Sequence, residues 1–136
     1  MTNVFLDTNV LAYQFDGADR AKQARAGQVV TQADCVFFAS TQVLLELFVV
    51  LTRKLRPTLP HAAAARVVRE LSRLTVVPAD SQLVLRAVDT AGQHRISVWD
   101  AMIIEAAAEA ACDELWSEDL AHGSVRGIRV VNPFAG

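Results

Sequence analysis

The stretch VFLDTN at residues 4–9 is a short apolar run that stops abruptly at a carboxylate. An apolar run of this kind, bounded by polar residues, is typical of a buried strand. The residues after it predict a short helical turn over residues 8–15, which ends at the turn signal Asp16-Gly17. Asp7 therefore lies at the end of a strand. In open α/β sheets, ligands bind beyond the carboxyl ends of the strands, so Asp7 is a candidate site residue.

The same alternation of short apolar strands and amphipathic helices continues along the chain. Strands are predicted over residues 4–6, 35–39, 75–77, 114–117 and 128–131, and longer helices over residues 18–32, 42–55, 60–73, 81–93 and 98–112. This order is typical of a mostly parallel sheet with helices on both faces. We therefore predict an α/β fold with three layers, α/β/α. A chain of 136 residues fits one domain spanning residues 1–136.

Composition and charge narrow the classes of function. No apolar run approaches the ~20 residues that cross a bilayer, and the first residues lack the pattern of a secretory signal, so we expect a cytoplasmic protein without membrane contact. Cys35 and Cys112 lie far apart without a metal-binding spacing, which predicts reduced thiols and no zinc site. The formal net charge is −2. Nucleic-acid binding would therefore depend on a local site and not on a generally basic surface.

Several acids lack the local ion pairs that are usual on helix surfaces. Glu70, Asp89 and Asp19 each have an arginine or lysine three or four residues away, which predicts solvated pairs. Glu46 has apolar neighbours nearly all round its helix, which predicts a largely buried helix where an unpaired carboxylate is costly. The acids that need another explanation are Asp7, Glu46, Asp100 and Asp119.

Each of these acids has an ordinary alternative role. Asp7 can cap a helix, Asp100 can be stabilised by a helix dipole, Glu46 can join a distant ion pair, and Asp119 can be a loop acid. Brought together at one crevice, they would repel one another unless they share divalent cations. Oxygen ligands favour magnesium or manganese over zinc. Such a cluster predicts hydrolysis of a phosphodiester by a metal-activated water, without a protein nucleophile.

The ordered motifs resemble those of the PIN-domain nucleases, and within them the VapC-type toxins of bacterial toxin–antitoxin pairs. The resemblance covers essentially the whole chain. Its motifs are VFLDTNVL at residues 4–11, Glu46 followed by LTRK at residues 51–54, VWDA at residues 98–101 and SEDL at residues 117–120. A PIN-like fold with a parallel sheet is what this resemblance implies.

The resemblance also implies a set of site residues and partners. The acids that would bind Mg²⁺ or Mn²⁺ and carry catalysis are Asp7, Glu46, Asp100 and Asp119, with Asn9 and Ser117 as polar supports. Glu118 is the alternative to Asp119 as the fourth acid. The implied activity is that of an endoribonuclease that cuts single-stranded or loop regions of RNA. The implied biological role is the toxin of a type II toxin–antitoxin module, a homodimer whose cognate antitoxin places a peptide in the acidic groove.

Two further groups of residues have competing interpretations. Arg53 and Lys54 either bind RNA phosphates beside the metal site or end a helix in solvent. Trp99 and Trp116 either stack on bases or pack in the core, and we favour core packing for both.

Two other classes of enzyme or regulator also place acids at strand ends. A phospho-acceptor receiver domain would need a lysine near the last strand, and residues 113–136 contain none. A phosphatase that uses Asp7 as its nucleophile would need an acid two residues later, where Asn9 stands. A silent binding module that has kept the fold is the third alternative. His94 and His122 have no partner pattern, so no catalytic role is predicted for them.

Overall fold

The computed structural model describes residues 1–120 and 123–135 as a central sheet with helices on both faces, a three-layer α/β/α arrangement. The strands are β1 (Thr2–Leu6), β2 (Cys35–Ser40), β3 (Thr75–Val77), β4 (Glu114–Trp116), β5 (Gly123–Val125) and β6 (Ile128–Val131). The α-helices are α1 (Thr8–Ala12), α2 (Arg20–Val29), α3 (Thr41–Val49), α4 (His61–Leu71), α5 (Ser81–His94) and α6 (Val98–Glu109). A 3₁₀ turn, Tyr13–Phe15, follows α1, and a π-helical turn, Val50–Lys54, extends α3.

The sheet has the strand order β3-β2-β1-β4-β6-β5. All neighbouring strands pair in parallel except β5, which runs antiparallel to β6. From β1 the chain continues to β2 and β3 on one side, and later returns to β4 and β6 on the other. The direction of winding therefore reverses between β1 and β4, and sheets of this kind have their ligand crevice at that point.

Local sequence explains why the helices begin where they do. Asp19, Ser40, Asp80 and Ser97 each precede a helix and accept a hydrogen bond from the backbone N–H three residues later. Such caps satisfy N–H groups that have no partner inside the helix. Because the Ser40 and Ser97 caps start α3 and α6, they fix the positions of Glu46 and Asp100 along their helices.

The core lies between the sheet and the inward faces of the helices. The apolar residues of β1 that preceded the first acid, residues 4–6, are at most 1% exposed, and Leu47 of α3 and Leu115 of β4 are fully buried. Helix α6 is buried over residues 101–107. Within the described residues, no helix has both the length and the hydrophobicity that a membrane crossing requires.

The predicted architecture is confirmed, and the structure corrects two details. Strand β5, which precedes the turn Arg126-Gly127, was not predicted. The prediction that α3 is largely buried was wrong, because Leu45 is 69% exposed and Val49 is 38% exposed, whereas Val43 is fully buried. An apolar sequence on all sides of a helix does not distinguish a core helix from one with an apolar outer surface.

Candidate active site

Asp7 and Ser117 join the ends of the two neighbouring strands β1 and β4. The Asp7 N–H donates to the Trp116 carbonyl at 3.0 Å, which continues the sheet one residue beyond the strands. The Ser117 hydroxyl donates to Asp7 Oδ2 at 2.7 Å, and the Thr8 N–H donates to Asp7 Oδ1 at 2.7 Å. Asp7 is therefore fixed at the reversal point of the sheet, as both the cap of α1 and a wall of the crevice.

The environment of Asp7 disfavours its charged form. The pKa of Asp7 is raised to about 6; burial is the largest cause, and the nearby Glu46 and Asp119 carboxylates act in the same direction. The Ser117 hydroxyl and the Thr8 N–H act in the opposite direction. At neutral pH Asp7 is therefore mostly ionised but at a cost, and a bound cation would relieve that cost.

Glu46 reaches the crevice from the middle of α3 and is held there by two donors. The Thr8 hydroxyl donates to Glu46 Oε2 at 3.0 Å, and Gln42 Nε2 donates to Oε1 at 2.6 Å. The same Gln42 amide contacts the Trp99 carbonyl at 3.4 Å, which links α3 to the first turn of α6. Glu46 is half-buried and oriented by neutral donors, in contrast to the buried ion pair that was the ordinary alternative.

The segment after β4 separates the roles of its two adjacent acids. Asn9 Nδ2 donates to Asp119 Oδ2 at 3.1 Å, while Asn9 Oδ1 accepts from the Glu118 N–H at 3.2 Å. The Ser117 hydroxyl oxygen accepts from the Asp119 N–H at 3.2 Å. Asn9 and Ser117 thus hold the segment in place so that Asp119 lines the crevice.

Glu118 points away from the crevice, into a contact with Tyr13 and Lys22. The Tyr13 hydroxyl donates to Glu118 Oε1 at 2.6 Å, and Lys22 Nζ forms a salt bridge with the same carboxylate. The contact with Glu118, followed by that with Tyr13, raises the pKa of Lys22 and keeps it cationic. Lys22 therefore pairs with Glu118, while its predicted partner Asp19 uses its carboxylate as the cap of α2.

A cleft of about 360 Å³ lies over the strand ends and brings the four predicted acids together. Asp7 comes from the end of β1, Glu46 from α3, Asp100 from the first turn of α6, and Asp119 from the segment after β4. Apolar side chains from α1, α6 and the π-helical turn complete its walls, among them Ala12, Ile103, Val50 and Leu55. Four acids that are far apart in the sequence thus share one crevice.

The donor set of this cleft suits a hard divalent cation. Among the described residues, no group of three or more His, Cys, Asp or Glu side chains has the spacing to hold a metal ion directly. Magnesium does not require such a cage, because it usually keeps several waters and binds one or two carboxylates together with substrate phosphates. Burial disfavours the ionised form of Asp7, and the other acids that line the cleft offer carboxylate oxygens as ligands. Both features fit that mode of binding.

Some features of the cleft were not predicted from the sequence. Asp16, Gln42 and Thr8 also line it. A turn residue, a surface amide and the first residue of a helix carry no sequence signal that separates them from many others. The prediction that Trp99 packs in the core was wrong, because it is 66% exposed and lines the cleft. Trp116 is buried, as predicted.

The predicted basic and histidine residues lie outside the cleft or outside the described part of the chain. Arg53 and Lys54 are exposed on the π-helical turn and are not among the lining residues, so their contact with RNA stays a prediction. His94 is exposed at the end of α5. His122 lies outside the described residues.

Sequence comparison identifies the family. The profile of the PIN domain matches residues 4–127, which is most of the chain and includes all four acids. The chain therefore belongs to the PIN domain family. A search of curated proteins found no match.

Solved structures of a toxin, of a toxin–antitoxin complex and of VapBC share this fold. VapC20 of Mycobacterium tuberculosis, a sarcin-ricin loop cleaving toxin, superposes with a TM-score of 0.68 at 20% identity over 82% of this chain and 86% of its own. A toxin–antitoxin complex from Klebsiella pneumoniae gives 0.72 at 20% identity over 96% and 97%. DNA-bound VapBC from Salmonella typhimurium gives 0.66 at 19% identity over 98% and 99%. At these identities the likeness concerns the fold.

Proposed function

We propose that this protein is a metal-dependent endoribonuclease and the toxin of a type II toxin–antitoxin pair. The observation that carries the proposal is the cleft at the reversal point of the sheet, where Asp7, Glu46, Asp100 and Asp119 converge. Membership of the PIN domain family supports a nuclease over the receiver and phosphatase alternatives. The substrate would be single-stranded or loop RNA, as the resemblance of the sequence motifs implies.

Each acid would have a distinct part in holding Mg²⁺ or Mn²⁺. Asp7 is the most rigidly fixed and the most buried, so it would contribute the strongest ligand. Asp119, Asp100 and Glu46 line the same cleft and would bind the ion directly or through its waters. When bound, such an ion lowers the pKa of a water and offsets the charge that develops on the phosphate.

Polar side chains of this protein would hold the acids in this arrangement. Ser117 holds Asp7 Oδ2 and the Asp119 backbone, and Asn9 holds the Asp119 side chain. Thr8 and Gln42 keep Glu46 turned toward the cleft. Catalytic ligands must be held within small tolerances, and such hydrogen bonds provide that constraint.

The partners are proposed by analogy with the solved structures. One of the three structures described above is a toxin–antitoxin complex, and another is VapBC bound to DNA. We therefore expect a cognate antitoxin for this chain. The resemblance of the sequence motifs adds the expectation of a peptide segment that enters the acidic cleft and of a homodimeric toxin. One of these proteins cleaves the sarcin-ricin loop, which is consistent with a loop RNA as the substrate class here.

The decisive test is cleavage of a short unstructured RNA by the purified protein in magnesium, manganese or EDTA. We expect cleavage with either metal and none in EDTA. Asp7→Asn and Asp100→Asn should each lower the rate by at least about 100-fold, because each removes a charge that binds the metal. Asp89→Asn, which neutralises an exposed acid on α5, should leave the rate unchanged.

The same assay distinguishes the two candidates for the fourth acid. Asp119→Asn should cause a loss similar to that of Asp100→Asn, because Asp119 lines the cleft. Glu118→Gln should retain most of the activity, since Glu118 contacts Tyr13 and Lys22 instead. Full activity of both Asp7→Asn and Asp100→Asn would refute the proposed site.

A further inference from the structure

Trp99 is a large exposed aromatic side chain at the edge of the acidic cleft. It is 66% exposed, and it immediately precedes Asp100 in the first turn of α6. Trp116 shows how the same residue type is accommodated elsewhere in this chain: it is 6% exposed, lies edge to face with Phe37 at 5.6 Å, and donates its indole N–H to Glu114. Trp99 therefore leaves unburied the apolar surface that a tryptophan normally buries.

The backbone that carries Trp99 is fixed to the site. Its carbonyl accepts a hydrogen bond from Gln42 Nε2, the amide that also holds Glu46. The Ser97 cap, whose hydroxyl accepts from the Asp100 N–H at 3.0 Å, starts the helix at this point. The indole thus projects from a rigid turn, and binding a ligand against it would require little ordering of the backbone.

We propose that Trp99 stacks on an unpaired base of the RNA, adjacent to the phosphate that binds at the acidic cleft. This inference rests on the proposed ribonuclease function and names the feature of the substrate that the site selects. Aromatic stacking is sequence-tolerant, because every base has a π face. The site would therefore require a base that is free of its neighbours, as in a single strand or a loop, and not a particular sequence.

The position of Trp99 beside the four acids favours a nucleotide as its ligand. Other exposed apolar side chains, such as Leu45 and Leu85, lie outside the cleft, whereas Trp99 lines it together with the four acids. In a nucleotide the base and the phosphate belong to the same unit. A ligand whose phosphate lies over the acids thus brings a flat ring close to the indole, and the apolar cleft wall that includes Ile103 extends the same surface.

Fluorescence and binding of a labelled, unstructured RNA oligonucleotide test the proposal. The full chain is titrated in calcium, a hard cation that takes oxygen ligands, with the integrity of the RNA checked on a gel. RNA should quench the wild-type tryptophan emission but not that of Trp99→Phe, in which buried Trp116 is the remaining tryptophan. Trp99→Leu should raise the Kd by about 5- to 100-fold, and Trp99→Phe by less, because phenylalanine keeps an aromatic face.

An abasic RNA shows whether the contact is with a base. One base is removed at a time along the oligonucleotide. At one position, removal of the base should weaken binding by the wild type by the same factor as the Trp99→Leu substitution weakens binding of intact RNA. The wild type and Trp99→Leu should bind the RNA that lacks this base equally well. Leu85→Ala, which removes an exposed apolar side chain on α5, is the matched control and should not change the Kd. Thermal unfolding of the variants excludes a folding defect.

The outcomes separate this proposal from the proposed function. If the wild type cuts RNA in magnesium and Trp99→Leu binds and cuts it equally well, the stacking proposal is wrong and the nuclease stands. If Trp99→Leu instead changes the oligomeric state or the binding of an antitoxin while its Kd for RNA is unchanged, Trp99 belongs to a protein interface and the proposal is again wrong. If the wild type neither binds nor cuts RNA, both proposals fall.

Discussion

Asp7 combines deep burial with like-charged neighbours. Its carboxylate is 9% exposed and faces the Glu46 and Asp119 carboxylates. Its pKa of about 6, compared with an ordinary value of 3.8, means that the folded protein holds an extra proton between these pH values. The contribution of Asp7 to the stability of the folded state is therefore fully present below pH 3.8 and is lost as the pH rises through about 6.

Neutralising Asp7 should therefore stabilise the metal-free protein. At pH 8 in EDTA, Asp7→Asn should raise the free energy of unfolding by about 1–3 kcal/mol, since the ionised form carries a penalty of this order. The gain should vanish near pH 3.5, where the wild-type carboxyl is protonated as well. Urea unfolding at both pH values measures the difference. The exposed control Asp89→Asn should show no such dependence on pH, and an Asp7→Asn protein less stable at pH 8 than the wild type would contradict the argument.

At the scale of the elements, the β5–β6 hairpin is attached to α6 by an ion pair between half-exposed Arg126 and the buried carboxylate of Glu105. Glu105 is 1% exposed, and both of its carboxylate oxygens accept hydrogen bonds from Arg126, at 3.0 and 3.2 Å. The Thr90 hydroxyl of α5 donates to the same carboxylate at 2.8 Å. Arg126 and Gly127 form the turn with φ values of 55° and 76°, the left-handed conformation that a two-residue hairpin loop needs.

Replacing Arg126 with a residue that suits the turn isolates the contribution of the ion pair. Asparagine is preferred over arginine in this conformation, so Arg126→Asn should relieve the backbone while it leaves a buried carboxylate without its main partner. We expect a loss of about 2–4 kcal/mol in the free energy of unfolding. Arg129→Asn, which removes an exposed arginine that lies 3.7 Å from Glu114, should cost less than about 1 kcal/mol. Glu105→Gln in the Arg126→Asn background should restore part of the loss; a stable Arg126→Asn protein would show that the ion pair does not hold the hairpin.

Glu105 also shows how far the sequence could predict this molecule. The core strands and the helices between them were predictable from hydrophobic runs and amphipathic patterns, as at residues 4–6 and 98–109. Strand β5 was not, because GSV carries no apolar pattern. Asp7 and Asp100 were recognisable as acids without local partners, but the same criterion applies to Glu105, whose partner Arg126 is 21 residues away. Sequence spacing cannot distinguish a distant ion pair from a metal site.

The environment of individual side chains depends on tertiary contacts that spacing does not encode. Trp99 and Trp116 both follow apolar or helix-forming residues, yet one lines the cleft and the other is in the core. Gln42 donates to both Glu46 and the Trp99 carbonyl because α3 and α6 meet at their first turns. These outcomes follow from how the elements pack. The four acids and the polar supports Asn9 and Ser117 could therefore be proposed from the sequence motifs, but the hydrogen bonds of Thr8 and Gln42 to Glu46 could not.

For the whole molecule, the distribution of charge sets the condition for binding RNA. The net charge is −2, and the described lining of the cleft contains five acids and neither lysine nor arginine. The lining acids are Asp7, Asp16, Glu46, Asp100 and Asp119. RNA phosphates would be repelled from this surface unless cations are bound there, since like charges at short range oppose each other. Metal ions are thus expected to be needed for binding as well as for catalysis.

This argument predicts that variants without activity bind RNA more tightly than the wild type when metal is absent. In EDTA at constant ionic strength, Asp100→Asn and Asp119→Asn should each increase the affinity for a labelled RNA by about three- to tenfold, because each removes one repulsive charge from the cleft. In magnesium the order should reverse, since the wild type binds the ion that attracts the phosphate. Fluorescence anisotropy measures both series, with Asp89→Asn as the control for a general change in net charge. If the wild type bound RNA more tightly than these variants in EDTA as well, RNA would not enter through the acidic cleft, and its binding surface would have to be sought elsewhere, beginning with Arg53 and Lys54.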